Sequence, residues 1–283
     1  MSKNSEWDST IQPRNSWLDL RIREIWRYRD LLMLFVKRDF VAVYKQTILG
    51  PLWFFIQPIL TTIIFSIIFG VFANMSTDGA PRVLFYLGGL TLWNYFADSL
   101  NKTSETFIQN QNLFGKVYFP RLVVPLSIII SNLLKLLIQF TLFFTVWVYF
   151  LSSGNPNVNP NTTLALLPVL IILLSLLSLA FGIIFSALTT KYRDMRFLLV
   201  FGVQLMMYVS SVVIPLSEIP LKYQWIFKLN PLVTIIETFK YGFLGTGVFS
   251  WFDLIYSALF TGVLLFFAIV IFNRVERSFM DTV

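Results

Sequence analysis

The chain has 283 residues, of which 56% are hydrophobic, 17% aromatic and only 13% charged, and its mean hydropathy is +0.71. So little charge cannot cover a soluble globule of this size, whereas a bilayer covers an apolar exterior, so the chain belongs in a membrane. With no His and no Cys, imidazole acid–base steps, thiolate catalysis, disulfides and thiolate or imidazole zinc sites are excluded, and the formal charge of +7 points to loop topology and not to nucleic-acid binding.

Residues 1–29 are polar and charged without an apolar core, so no secretory signal is expected and the N-terminus should stay in the cytoplasm. Within the region 1–50, Ser16 and Asp19 have the spacing of a capping box. Leu18, Ile22, Ile25 and Trp26 then recur at helical spacing, with Arg21, Arg23, Glu24 and Arg27 on other faces. The pattern predicts an amphipathic helix in the inner-leaflet interface, anchored by Trp26, with its arginines near anionic membrane lipid. The same surface is available to a cytoplasmic partner.

A crossing helix needs roughly 20 apolar residues. Six stretches approach or meet that, at about 52–73, 83–101, 123–150, 164–189, 197–214 and 252–272. The expectation is an all-α integral membrane protein with six transmembrane helices in a single domain, 1–283, whose membrane part is 52–272. Six crossings put both ends on one side, and Lys and Arg choose it. Seventeen fall in the N-terminal region, the second and fourth connections and the tail 273–283, against four on the other side (Arg82, Lys222, Lys228, Lys240) and Lys135 inside the third span. The positive-inside rule therefore predicts cytoplasmic termini. A charge at the depth of Lys135 faces a cavity or snorkels.

The segment 215–251 is too long for a plain turn. Asn230-Pro231 divides it into two apolar pieces, Leu221 to Leu229 and Leu232 to Leu244, neither long enough to span. Two short re-entrant helices on the outer face are expected, around a cavity, because backbone at that depth is tolerated only in protein or beside water.

Gly115-Lys116 lacks the rest of a phosphate loop: Asn110 stands five positions earlier and Val117 follows. The chain is not expected to hydrolyse ATP. A membrane enzyme would need converging carboxylates, but Asp98, Glu218, Glu237 and Asp253 fall at different heights and read as solvated helix-end charges. The aromatics Phe65, Phe69 and Phe72, then Trp93 and Phe96, then Phe140, Phe144 and Trp147 repeat at helical spacing. Helix packing and lipid-facing bulk are one reading. The functional one is a pore lined with flat rings along which a glycan slides without a fixed register.

The runs Lys37-Arg38-Asp39-Phe40, Tyr44-Lys45-Gln46-Thr47, Leu49-Gly50-Pro51-Leu52-Trp53 and Gln57-Pro58 resemble the start of type-2 ABC exporter permeases for bacterial surface polysaccharides, the O-antigen, capsule and teichoic-acid exporters. Lys116-Val117-Tyr118-Phe119-Pro120-Arg121 is similar to that family's cytoplasmic element between spans two and three, and Lys191-Tyr192-Arg193-Asp194 to its turn between spans four and five. Asn230-Pro231 falls at its break between two outer helices. In this order the likeness extends over nearly the whole chain.

The resemblance implies a homodimer in the bacterial inner membrane, joined by two copies of a separate ABC ATPase subunit. ATP and Mg would bind on that partner and no cofactor on this chain. The substrate would be an undecaprenyl-linked polysaccharide. Ile22, Arg23, Trp26 and Arg27, with Tyr192, Arg193 and Asp194, would receive ATP-driven closure. Lys116, Tyr118 and Arg121 would gate the cytoplasmic mouth near the lipid pyrophosphate, and Asn230 and Pro231 the outer exit. The expected function is polysaccharide export. A type-2 permease for a drug or lipid, a membrane enzyme acting on a lipid-linked sugar and a non-transporting scaffold are the alternatives.

Overall fold

A backbone surrounded by hydrocarbon must satisfy its own polar groups, and among the described residues every regular element is helical. The computed structural model describes residues 22–45 and 47–282, and the side chains of 22, 43, 44 and 276–282 fall outside that description, as do Leu18 and the Ser16–Asp19 capping pair. Helix α1 (Ile22–Arg27) breaks at Tyr28 and resumes as α2 (Arg29–Tyr44). Helix α3 (Trp53–Phe65) runs on as a π-helical stretch to Phe72, with the Ala73 amide bonded back to the Ile68 carbonyl at 2.9 Å.

Next come α4 (Arg82–Ser104), two single turns α5 (Thr106–Gln109) and α6 (Gln111–Phe114), and the long α7 (Val123–Ser152). Helices α8 (Leu167–Lys191), α9 (Met195–Tyr208), α10 (Leu221–Lys228), α11 (Pro231–Leu244) and α12 (Trp251–Thr282) complete the described chain. Four runs are long and apolar enough to cross a membrane: Gly50–Phe72, Val123–Ser152, Thr162–Lys191 and Trp251–Val275.

The remaining two expected spans differ from those four. Helix α4 has 23 residues, roughly 34 Å of helix, but carries Asn94, Asp98 and Lys102. Its polarity is tolerated because it is the centre of the bundle, buried without interruption from Leu84 to Trp93 and packed against α3, α7, α8, α9 and α11. Helix α9 has only 14 residues, about 21 Å. The stretch 197–214 is helical to Tyr208 and then leaves the helix, with Ser211 in the left-handed region at φ 57°.

Glycines set how closely α4 approaches its neighbours. A Cβ on Gly88 would stand 2.8 Å from the Phe239 ring of α11, and one on Gly182 of α8 would stand 2.5 Å from Thr103 Cβ. Small residues let helix backbones come together where no hydrophobic force drives them. The larger core fills the space between α4, α7, α8 and α11, and a second gathers Phe35, Phe107, Phe114, Phe119, Ile128, Ile183 and Phe272. This second core sits at the end of the bundle where the basic connections meet, called the basic end below. The loops 73–81, 153–166 and 209–250 form the opposite end.

Candidate functional site

At the basic end α1 and α2 turn Ile25, Tyr28, Leu31 and Leu32 toward the second core. Arg23 and Arg27 face outward, and Trp26 is 69% exposed. Only the backbone of Ile22 is described. Tyr192, Arg193 and Asp194 are exposed on the turn between α8 and α9. That turn is anchored on both sides: Thr189 Oγ1 donates to the Ser104 carbonyl at 2.8 Å, and Arg196 pairs with Glu105 at 2.5 Å. These two contacts tie the turn to Ser104 and Glu105 at the end of α4.

The 116–121 element splits into two faces. Lys116 and Tyr118 are exposed, whereas Phe119 is buried against Phe35 of α2 (centroids 5.9 Å apart) and Phe114 (5.7 Å). The ring contacts continue from Phe114 to Phe107 at 5.9 Å and from Phe107 to Phe272 of α12 at 5.1 Å. Arg121 is 7% exposed with its guanidinium 5.4 Å from the Phe114 ring centroid, so it packs the element in place and is not presented to a ligand. Sequence reasoning missed this run of ring contacts. Its signal was there: Phe107, Phe114 and Phe119 are bulky rings in a connection that is mostly polar.

The expected pore aromatics differ in exposure. Trp93, Phe96 and Phe140 are buried inside the subunit, which is the packing alternative, and a buried ring cannot face a lumen. Trp93 meets Phe96 at 5.7 Å, and Phe140 and Phe144 join Phe143, Phe239 and Phe243 in one cluster between α7 and α11. Trp147 is half-buried there, donating its indole N–H to the Phe243 carbonyl at 2.8 Å. Phe65 and Phe69 are half-buried against Tyr86, and only Phe72 is largely exposed.

At the loop end Asn230 caps α11 by accepting the Leu232 N–H at 3.1 Å, with Pro231 in the first turn. The Asn230 amide also donates to Ser210 Oγ at 2.9 Å, tying the α10–α11 break to the end of α9. Beside it is an arrangement that sequence reasoning did not anticipate. Glu237, read as a solvated helix-end charge, and Lys240, counted among the outer-side cations, are both 1% exposed. Ser211 bridges them: its hydroxyl donates to the Glu237 carboxylate, while Lys240 Nζ donates to the Ser211 carbonyl at 2.5 Å. Glu237 also accepts the Leu216 and Val248 amides at 3.4 and 3.0 Å, and Lys240 stands 3.4 Å from the Phe85 ring centroid of α4. Burial pushes the Lys240 ammonium down to about 8, with Glu237 and Asp78 acting in the opposite direction. Asp253 is paired with Lys228 at 3.0 Å and Glu218 is exposed, so the four carboxylates do not converge.

Comparison with known proteins decides what kind of machine this is. The model of the ABC-2 type transporter family matches residues 30–244. The chain belongs to the ABC-2 type transporter family. It is similar to the O-antigen export system permease protein RfbA of Klebsiella pneumoniae, 29% identical over 254 residues that cover 89% of this chain and 94% of the relative. RfbA of Myxococcus xanthus is 25% identical over 264 residues, 93% of this chain and 98% of that one. The polysialic acid transport protein KpsM of Escherichia coli is 28% identical over 240 residues, 83% and 89% of the two chains. The family match takes in nearly all of α2 and runs through α11, so in this ABC-2 chain it leaves out α1 and α12.

Proposed function

We propose that this ABC-2 chain is the membrane subunit of an ATP-driven exporter that moves a lipid-linked surface polysaccharide out through the bacterial inner membrane. The observation that carries this reading is the near full-length alignment with export permeases named for O-antigen and polysialic acid. The subunit works as a homodimer with two ATPase subunits, which hold the ATP and Mg, and with both termini in the cytoplasm. Six spans follow if α4 and α9 join the four apolar runs. The central place of α4 is what lets so polar a helix cross, and the residues after α9 extend its reach.

In this reading the exposed Arg23, Trp26 and Arg27, with the turn Tyr192–Asp194, meet the ATPase. The rings Phe35, Phe119, Phe114, Phe107 and Phe272 carry the displacement of α2 to the 116–121 element and to α12. Lys116 and Tyr118 stand at the cytoplasmic mouth. Helices α10 and α11, hinged at Asn230-Pro231, re-enter from the outer face and gate the exit. The burial of Trp93, Phe96 and Phe140 favours a second reading, a permease for a lipid or drug, because it withdraws three rings from any sugar track. Purification from native membranes in mild detergent, followed by mass spectrometry, separates the two. A stoichiometric ATPase with undecaprenyl-linked sugar is expected; an ATPase with only phospholipid would support the second reading.

A further inference from the structure

The two outer helices differ in what holds them. In α11 every residue but Tyr241 is buried. Its start is tied to Ser210 through Asn230, and its middle to Ser211, Leu216 and Val248 through Glu237 and Lys240. Its end is held by the α7–α8 loop: the Asn159 and Asn161 amides donate to the Leu244 and Gly242 carbonyls at 3.1 and 3.0 Å, and the Asn161 side chain donates to the Tyr241 carbonyl at 2.8 Å. Helix α10 buries no residue. Its inner side carries Gln224, whose amide donates to the Ile219 carbonyl at 2.9 Å, and Phe227, packed on Leu216, Ile219 and Val233. Protein therefore accounts for the whole of α11 and for one side only of α10.

The other side of α10 is apolar and open. Leu221, Trp225 and Leu229 recur at helical spacing with Ile226 and Tyr223 beside them, and Leu221 is 85% and Trp225 62% exposed. Height and charge identify what covers this face. Helix α10 is fastened to the first turns of α12, where Lys228 pairs with Asp253 at 3.0 Å and the Tyr256 hydroxyl donates to the Leu229 carbonyl at 3.0 Å. The run that begins at Trp251 is long and apolar enough to cross a membrane, and Trp251, Phe252 and Ile255 at its start are exposed. Helix α10 thus lies where a lipid-facing span meets water, the depth at which Trp and Tyr collect. Lys222 stands within the open face, one turn before Trp225 and Ile226, with its ammonium 5.7 Å from the Tyr223 ring centroid. Among the described residues it has no carboxylate within ion-pair distance. A lysine amid apolar side chains suits a headgroup layer, where its stem lies on hydrocarbon and its ammonium reaches phosphate. It does not suit the centre of a protein–protein interface, from which charged residues are depleted.

We propose that α10 is seated on the phospholipid headgroups of the outer leaflet, with Leu221, Trp225 and Leu229 entering the acyl boundary and Lys222 meeting lipid phosphate. With eight residues, about 12 Å of helix, it lies along the surface. The proposal refines the outer gate of the export reading and rests on that reading for the outward orientation of this end: α11 is the part inserted in the bundle, and α10 the part held by lipid. The Asn230-Pro231 break then separates a helix fixed by protein from one fixed by the bilayer.

The chain has no Cys, so single nitroxide labels need no background substitutions. The test uses the full-length chain with its ATPase in nanodiscs of phosphatidylethanolamine and phosphatidylglycerol, labelled at Leu221→Cys or Trp225→Cys. Power-saturation EPR then compares collisions with oxygen, which concentrates in lipid, and with a water-soluble nickel chelate. Leu259→Cys on the exposed side of α12 and Asn157→Cys in the exposed α7–α8 loop set the lipid and water limits. Both α10 labels should give oxygen-to-nickel ratios shifted from the water limit toward the lipid limit. Ratios equal to that of Asn157→Cys would place α10 in water, and exclusion of both reagents would mean that protein, a second copy included, covers the face; either overturns the proposal. Brominated phospholipids supply a readout free of labels: the emission that wild type has and Trp225→Phe lacks should be largely lost in them, and its survival would remove Trp225 from the lipid. The orientation is read separately. A membrane-impermeant maleimide should label Asn157→Cys on intact spheroplasts, and labelling only in inverted vesicles would overturn the outward orientation and the export reading with it, whereas the collision ratios decide the lipid contact alone.

Discussion

Single residues decide the loop end of the molecule, and Glu237 and Lys240 do so most. Each is buried with its charge compensated through Ser211, so removing one leaves the other uncompensated. Glu237→Ala or Lys240→Met should each cost about 3–5 kcal/mol of stability, and the double variant Glu237→Gln/Lys240→Met should recover part of that loss. Thermal unfolding in detergent checks both. The sign with pH follows from the lowered Lys240 value: between about 8 and 10.5 the unfolded chain binds the proton that the folded chain has released. Stability therefore rises with pH across that window, and this increment should be missing in Lys240→Met. None of this was legible in sequence. Glu237 and Lys240 sit three apart in an outward connection, like any solvated helical pair, and their partners Ser211 and Phe85 come from other elements. Lys135 was legible, because a charge in an apolar run needs an explanation wherever the rest of the chain goes.

At the scale of elements the α10–α11 break was readable because Asn and Pro carry their own physics. Asn caps the next helix and Pro suits its first turn. The end of α9 was not, since an apolar stretch says nothing of where a distant lysine captures a carbonyl. Aromatic periodicity marks one face of a helix, but packing and pore lining share that period, and only the neighbours separate them. Trp93→Ala is accordingly expected to cost about 3–5 kcal/mol as a core truncation, lowering folded yield before any export assay reads it. Gly88→Ala is expected to cost about 1–3 kcal/mol by overpacking against Phe239. Differential scanning fluorimetry of the purified variants reads both, and wild-type stability in either would contradict the tight packing of α4.

For the molecule as a whole, composition was enough for the membrane and motif order for the family, whereas the connection between the basic elements required the fold. Phe119 packs on Phe35 of α2, and in the proposed mechanism this contact carries displacement of the interface helix to the 116–121 element. Phe119→Ala should leave ATP hydrolysis by the assembled complex within about twofold of wild type while export falls tenfold or more, a step of roughly 1.4 kcal/mol in coupling; equal loss of both would mean that the ring only holds the fold. The most direct measurement of the central claim is ATP-dependent transfer of undecaprenyl-linked polysaccharide into inverted membrane vesicles containing this chain and its ATPase. The account predicts glycan protected inside the vesicles with ATP and none without hydrolysis. Vesicles that hydrolyse ATP yet leave the glycan on the outer surface would contradict it.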